Sequence, residues 1–452
     1  MKARANLTHK NRKGSDITLK EYGTLCRNPA GAAYGYQCID ESVFDRLERF
    51  ILENRADGKG IEALELMTVA SRKGIGKIIS AKNYVGVIAM SEGTRIEILP
   101  KVYTGNEEIS MLETKRMFLH MLKTIGDIPG KVFRHTDLDA GKNHILDLFI
   151  RMFIDEAVIL VKRGLKSDYR EHRDNETFYK GKLRFAEHIK HNAAHKERFY
   201  IEFDEFSVDR PENRLVKTTI ELLMKMSRSP GNRKDLYILS SAFDQVKKSE
   251  QPERDWASLS MDRTTKEYRT LLEWCRLFLS GLSFTPFQGK NNAYALLFPM
   301  EKIYERYVAK QLKKRLSHPE IRVKTQDRSH RLFQTPARFQ LKPDIVVQGP
   351  AGVAVLDTKW KILSRVKDYG ISQADMYQAY VYGKKYGAGR VYLLYPGVPQ
   401  MPELEPPIVY DSGDGVEVRV VFLDLGLSSD CVSELAEELR HWVLPNGKLG
   451  HE

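Results

Sequence analysis

Cysteine is scarce in this chain. Four residues in 452, Cys26, Cys38, Cys275 and Cys431, show no C-x-x-C spacing, which excludes a disulfide-stapled scaffold and a thiolate zinc module and fits a reducing compartment. The expected location is therefore cytoplasmic. Long apolar runs are missing too, because no stretch approaches the ~20 residues a membrane helix needs. The most apolar segment, 145–161, carries Asp147, Arg151, Asp155 and Glu156 and reads as a buried helix of a soluble domain. The start, MKARANLTHKNRKG, is basic but has no apolar core, so it reads as a solvated tail rather than a secretory signal. Enzyme signatures are equally thin. No H-E-x-x-H, G-x-S-x-G, complete G-x-G-x-x-G or phosphate-binding G-x-x-x-x-G-K-[S/T] occurs. Gly74-Ile75-Gly76-Lys77 lacks the loop length and the Ser/Thr. The chain has no nucleotide site of its own on this reading, and no internal repeat.

What is present describes a folded, basic protein. Hydrophobic residues make up 42% and aromatics 10%, enough for two or three domains with real cores. Lys plus Arg number 72 against 60 acids, a net charge of +12, which favours a polyanionic partner, either nucleic acid or an anionic surface.

The pattern changes twice along the chain. Residues 1–105 read as a β-rich module with one helix near Ser42–Asn54, where Phe44, Leu47, Phe50 and Ile51 fall at helical spacing. Strands are expected at Leu64–Ala70, Gly86–Met90 and Arg95–Leu99, the last two joined as a hairpin. Residues 106–285 read as a mainly helical region, with helices at Glu107–Ile125, His144–Arg163 and Asn213–Met226. A capping box at Thr264 and Glu267 opens another, in which Cys275 belongs to the apolar stripe. Residues 286–452 read as an α/β domain, giving a multidomain α/β chain. Its helix at Met300–Leu316 is followed by strands near Glu320–Thr325, Arg331–Thr335, Asp344–Val347 and Val353–Lys359. Then come a helix at Ser372–Tyr386, a strand at Arg390–Tyr395, a strand at Val416–Asp424 and a helix at Val432–Trp442.

The informative element is Pro343-Asp344, followed after twelve residues by Asp357-Thr358-Lys359. Alternation along a strand sends Asp357 and Lys359 to one face and Thr358 to the other. Asp344, opening the neighbouring strand, can set its carboxylate beside Asp357. An isolated D-x-K is usually an exposed polar edge. Here Val353-Ala354-Val355-Leu356 is apolar on both faces, so the strand should be central and its end should lie at the sheet's carboxyl edge, where α/β sites form. Two carboxylates beside an ammonium suit Mg²⁺ and a nucleophilic water at a phosphodiester, with Mn²⁺ as a possible substitute.

The motif resembles the PD-(D/E)xK nuclease core, and the whole chain resembles the McrC family, the endonuclease subunits of McrBC-type modification-dependent restriction systems. The resemblance is carried by Asn83-Tyr84-Val85-Gly86-Val87-Ile88 with Ile96-Glu97-Ile98-Leu99-Pro100-Lys101. It extends through Gly181-Lys182-Leu183, Asp204-Glu205-Phe206, Pro211-Glu212-Asn213 and Met300-Glu301-Lys302-Ile303-Tyr304-Glu305. It implies that Asp344 and Asp357 are metal ligands, that Lys359 is the catalytic lysine, and that Glu305 is the carboxylate of the first core helix and a third metal ligand. Glu301, one turn earlier on the same face, is the rival for that last role. Gln378 and Tyr382 have the Q-x-x-x-Y spacing of RecB-type nucleases and could both turn to the site, although Tyr377, Tyr380 and Tyr382 also read as packing aromatics.

The resemblance further implies that the β-rich module docks on a McrB-like AAA+ GTPase or ATPase ring and stimulates its hydrolysis. The substrate would be double-stranded, modified DNA, with no membrane role. One core cuts one strand, so nuclease domains should pair in the active assembly. Two readings stand as alternatives: a non-catalytic DNA-binding adaptor that activates the NTPase, and a stand-alone RecB-like repair nuclease. Elsewhere, the basic, aromatic-rich 161–200 segment is a candidate DNA contact. Arg72, Lys73, Lys77 and Lys82 form either a docking cluster or a solvated face. His188, His191 and His195 share a helical spacing without a completing metal ligand.

Overall fold

The computed structural model describes residues 16–53, 66–90, 93–102, 107–126, 128, 144–259, 266–279, 293–363, 367–397, 408–426 and 431–445. The basic start of the chain, the Ser91-Glu92 turn and Thr264 of the capping box lie outside these. The chain divides into two compact units, one made of Met1–Ile128, Phe133–Ile145 and Ser283–Glu452, the other of Pro129–Val132 and Leu146–Leu282. Among the described residues no helix is long and apolar enough to cross a membrane.

The first unit begins with two small sheets. β1 (Asp16–Lys20) lies parallel to β7 (Arg95–Leu99). β2 (Thr24–Cys26) and β3 (Gln37–Cys38) join β4 (Met67–Arg72) and β5 (Gly76–Ala81) in the order β3-β2-β5-β4. Helix α1 (Glu41–Glu53) places Phe44, Leu47, Phe50 and Ile51 in a core shared with Ile79, Ile88 and Ile96, as their spacing anticipates. Gly74 and Gly76 have φ of 83° and 91° in the β4–β5 turn, so this glycine pair makes a hairpin bend, not a phosphate loop. Lys77 in β5 pairs with Glu48 at 2.6 Å and Arg72 sits over the Tyr34 ring, so half of that basic cluster is already engaged. Helix α2 (Glu107–Ile125) brings Lys115 to within 2.9 Å of Glu97 in β7, an ion pair buried on both sides.

The second unit is built around α3 (Ile145–Arg163), whose Phe149 and Phe153 meet Trp274 and Phe278 of a later helix. Its region is not wholly helical. β8 (Asp168–Glu176), β9 (Lys182–Leu183) and β10 (Phe199–Ser207) form an antiparallel sheet in the order β8-β10-β9. The sequence of β8, DYREHRDNE, has no apolar face, so the alternation that marks a half-buried strand is missing. Between β9 and β10 runs α4 (Phe185–Asn192). Its His188 bonds Asn192, its His191 stacks on Tyr200, and His195 beyond it pairs with Glu197, so the three histidines have separate partners. Helices α5 (Pro211–Met226), α6 (Pro230–Ala242) and α7 (Pro252–Ser258) each open on a proline at the first turn, where a missing N–H costs nothing. Asn213 of α5 is fully buried, donates to the Lys166 and Val208 carbonyls, and accepts from the Tyr268 hydroxyl. That landmark is a structural tie. In α8 (Arg269–Leu279) Cys275 is buried and its thiol is pushed up to about 12 by burial, a core residue as its position in the stripe suggested.

The chain then returns to the first unit. β11 (Ala293–Pro299) runs antiparallel to β6 (Tyr84–Met90) and completes a sheet of order β1-β7-β6-β11. No strand was anticipated here, and its residues complete the sheet of the first third. α9 (Met300–Arg315) leads into a six-stranded mixed sheet of order β12-β15-β16-β17-β19-β18. Its members are β12 (Arg322–Thr325), β15 (Ile345–Gln348), β16 (Val353–Thr358), β17 (Arg390–Gly397), β18 (Ile408–Asp411) and β19 (Glu417–Asp424). β13 (Arg331–Phe333) and β14 (Arg338–Gln340) pair as a separate hairpin. β16, β17 and β19 are mutually parallel. α10 (Gln373–Tyr386) covers one face through Ala379, Tyr382 and Tyr386 against Val355, Val391, Leu393 and Val418. α11 (Cys431–Val443) lies on the other, where Tyr392 donates to Glu438. Residues 354–357 of β16 are all buried, the central strand that its apolar run requires.

Gly86 in β6 has φ of 141°, and a Cβ there would fall 1.9 Å from the Leu296 carbonyl oxygen of β11. Gly86→Ala is therefore expected to lower unfolding stability by about 2–4 kcal/mol, measured by chemical denaturation. An unchanged midpoint would show that the two strands do not approach this closely.

Candidate active site

Asp357 is the last buried residue of β16, and the antiparallel register Ile345↔Leu356 sets Asp344 alongside it, just ahead of β15. Asp344 is fixed from two sides. One carboxylate oxygen accepts from the Thr358 backbone N–H at 2.8 Å and from the Thr358 hydroxyl at 2.7 Å. The other accepts from the Gln326 amide at 3.1 Å, and the same amide donates to Glu305 of α9. Gln326 itself has a left-handed backbone, φ 53°, with its N–H bonded to the Asp344 carbonyl. Lys359 places its ammonium 2.7 Å from Asp357 and 3.4 Å from Asp375, and donates to Gln378 at 2.9 Å. Gln378 in turn donates to the Tyr382 hydroxyl at 2.9 Å, so the four-residue spacing produces a bonded pair.

All five residues singled out from the sequence, Asp344, Asp357, Lys359, Glu305 and Gln378, thus meet in one connected cluster. Glu301 does not join it. Its charge acts instead on Glu21 and Lys101, so the helix face divides between two clusters. Of the three tyrosines, Tyr382 is buried, whereas Tyr377 and Tyr380 are exposed.

The electrostatics follow from crowding. Burial raises Asp357 to about 6, with the Asp344 charge adding to it and Lys359 opposing. Burial and the Asp344 charge raise Glu305 to about 7, against the Gln326 hydrogen bond. Lys359 is pulled down by burial but held above the ordinary lysine value by Asp357 and Asp375. The cluster holds more negative charge than its own lysine compensates, the condition under which an added cation is favoured. The donors are all oxygens, which suits a hard divalent ion. Among the described residues no three His, Cys, Asp or Glu groups stand at metal-cage spacing. The carboxylates of Asp344 and Asp357 stand at adjoining strand ends, with Glu305 as a third acid nearby, a donor chemistry of the kind that Mg²⁺ takes.

Four contributors escaped the sequence reading. Asp375 is buried at the start of α10, donates its backbone N–H to the Ser372 hydroxyl, and pairs with Lys361 at 2.8 Å. Its only sequence signal is the Ser-x-x-Asp helix start. Gln326 carries none. The other two, Glu21 and Trp360, form a clamp directly behind the motif. The Trp360 indole donates to both oxygens of Glu21, at 3.1 and 2.9 Å. The Lys101 N–H donates to Glu21 at 2.9 Å, and its ammonium reaches the Trp360 carbonyl at 2.6 Å. Burial raises Glu21 and lowers Lys101. The Trp360 ring also lies 5.3 Å from that of Tyr304, next to Glu305. The first sheet is thereby tied to the residue after Lys359.

A family model described as McrBC 5-methylcytosine restriction system component matches residues 79–396, well over half of the chain and all five site residues. The chain belongs to this family. Within it, Asn83 and Lys101 acquire structural duties, since the Asn83 carbonyl accepts from Met300 at the start of α9. The fold is similar to that of a chain in the refined half-complex from a tetradecameric assembly of Thermococcus gammatolerans McrB AAA+ hexamers with bound McrC. Identity there is 20%, the TM-score is 0.70, and the match covers 94% of this chain and 99% of that one. The Thermococcus gammatolerans McrBC complex gives a second match at 21% identity and TM-score 0.49, over 67% of this chain and 89% of that one. No curated protein matches the sequence.

Trp360→Phe keeps an aromatic ring but removes the indole donor to the buried Glu21. A loss of about 1–3 kcal/mol is expected, read by thermal or chemical unfolding. Parental stability in that variant would show that the clamp carries no load.

Proposed function

We propose that this chain is a Mg²⁺-dependent DNA endonuclease subunit of a McrBC-like modification-dependent restriction system, with a PD-(D/E)xK core at residues 286–452. The observation that carries the reading is the cluster itself: Asp344 and Asp357 at adjoining strand ends, with Lys359 bonded to Asp357. Family membership supplies the biological setting.

In this reading Asp344 and Asp357 would hold the ion together with Glu305, whose carboxylate shares the Gln326 amide with Asp344. Bound there, Mg²⁺ would acidify a water and offset charge on the scissile phosphate. The protein's own part is positional. Thr358 and Gln326 keep Asp344 from rotating away. Asp357, Asp375 and Gln378 hold the Lys359 ammonium at the strand end, where it can donate to the attacking water or to a phosphate oxygen. The burial of Asp357 keeps bulk water from screening these interactions.

The β-rich module at residues 1–105 is proposed to dock on a AAA+ GTPase or ATPase ring and to stimulate its hydrolysis. The Thermococcus protein, which is described with McrB hexamers, is the precedent. The substrate is proposed to be modified duplex DNA, cut in both strands by paired nuclease domains in the cytoplasm.

The test is Asp357→Asn assayed with the ring partner and modified DNA. Cleavage should fall on the order of 10³-fold while stimulation of the partner's NTP hydrolysis persists. Chelation of divalent ions should abolish cutting by the parent chain. Undiminished cutting by the variant would remove Asp357 from the site. Cutting with chelator present would remove the metal.

A further inference from the structure

We infer that the β13–β14 hairpin is a DNA-gripping arm that feeds a strand toward Lys359; this rests on the nuclease reading above. From Arg328 to Lys342 the sequence is RSHRLFQTPARFQLK, with four Lys/Arg cations, one histidine and no acid. Arg328, Arg331, Arg338 and Lys342 are all exposed, and among the described residues none of them is ion-paired with a carboxylate. Elsewhere in this domain Arg390 and Arg419 are each matched to Glu417 and Glu438. Unneutralised charge on an exposed two-stranded ribbon is the electrostatic footprint of phosphate binding.

Two aromatics sit on the same ribbon. Phe333 is 53% exposed and Phe339 72%, and their rings meet edge to face at 5.9 Å. Phe339 also has a left-handed backbone, φ 56°, a conformation disfavoured for a bulky residue. Neither ring is buried in a core, so folding alone does not account for them. Exposed rings between arginines are suited to stacking on bases or wedging between them.

The arm is anchored and aimed. At its base the Leu341 N–H bonds the His330 carbonyl, the Gln340 amide bonds the Arg328 carbonyl, and the His330 ring lies 4.3 Å from that of Tyr386 in α10. Between arm and helix runs a groove of about 430 Å³ lined by Leu332, Leu341, Lys342, Tyr377, Gln378 and Tyr382. Gln378 is the residue bonded to Lys359, and Lys342 lies close enough for its charge to act on Glu305. The groove therefore opens beside the reacting groups, and its lining combines one cation, Lys342, with the rings of Tyr377 and Tyr382 and the aliphatic Leu332, Leu341 and Val381. A nucleotide strand leading to the scissile phosphate matches both features. This places a DNA contact in the nuclease domain itself, apart from the 161–200 segment.

The experiment is equilibrium binding of a fluorescent DNA duplex to the full chain in metal-free buffer across a salt series, which reads the arm without requiring cleavage. Arg331→Ala/Arg338→Ala should weaken binding about 10- to 100-fold and reduce the slope of log K against log salt by roughly two, at about 0.9 per phosphate contact. Arg331→Lys/Arg338→Lys should restore most of both, which a folding defect would not. Phe333→Ala/Phe339→Ala should weaken binding about tenfold with the slope unchanged. Parental affinity and slope in the double alanine variant of the arginines would overturn the proposal, and parental affinity in the phenylalanine variant would overturn its stacking part. If the parent chain with its ring partner and Mg²⁺ cuts no DNA, the nuclease reading fails, while these binding data stand by themselves.

Discussion

Three acids, Glu305, Asp344 and Asp357, are drawn together at the end of one buried strand with a single lysine among them, and the surrounding structure exists to hold that imbalance. Left alone, the carboxylates would separate or take up protons. The raised values of Asp357 and Glu305 record the second tendency. The first is resisted by bonds that each fix one atom: Thr358 and Gln326 on Asp344, Gln326 on Glu305, Asp375 and Gln378 on Lys359. Repulsion of this kind destabilises the empty fold and favours binding a cation, a trade common at sites preorganised for chemistry.

The restraint extends well beyond the nuclease sheet. Trp360 follows the motif lysine and is locked to Glu21 and Lys101 at the edge of the first sheet. That sheet is itself completed by β11, which runs directly into α9, the helix carrying Glu305. Chain segments hundreds of residues apart therefore share one set of buried polar bonds. The edge of the first sheet and the residue after the motif lysine are thereby joined through Glu21, Lys101 and Trp360.

Much of this was legible in the sequence where a periodic signal existed. The four apolar residues before Asp357 announced a central strand, and α1 announced its buried face through Phe44, Leu47, Phe50 and Ile51. The pairing of Gln378 with Tyr382 followed from their separation by one helical turn. Other parts were invisible for definable reasons. Gln326 works through a left-handed backbone that its residue type does not advertise, and Asp375 looks like any first-turn acid. β8 has polar side chains on both faces, so no alternation marks it. β11 pairs with a strand some two hundred residues earlier, and local pattern says nothing about a partner at that distance. Glu301 and Glu305 were equivalent by spacing, and only the packing of α9 assigned them to different clusters.

The central claim is that this arrangement binds a divalent cation through Asp344 and Asp357. Calorimetric titration of the full chain with Mg²⁺, and separately with Mn²⁺, tests it without partner or DNA. The account predicts saturable binding by the parent chain that disappears in Asp344→Asn and in Asp357→Asn, each remaining folded by circular dichroism. Binding of undiminished affinity in both variants, or none in the parent with either metal, would contradict it.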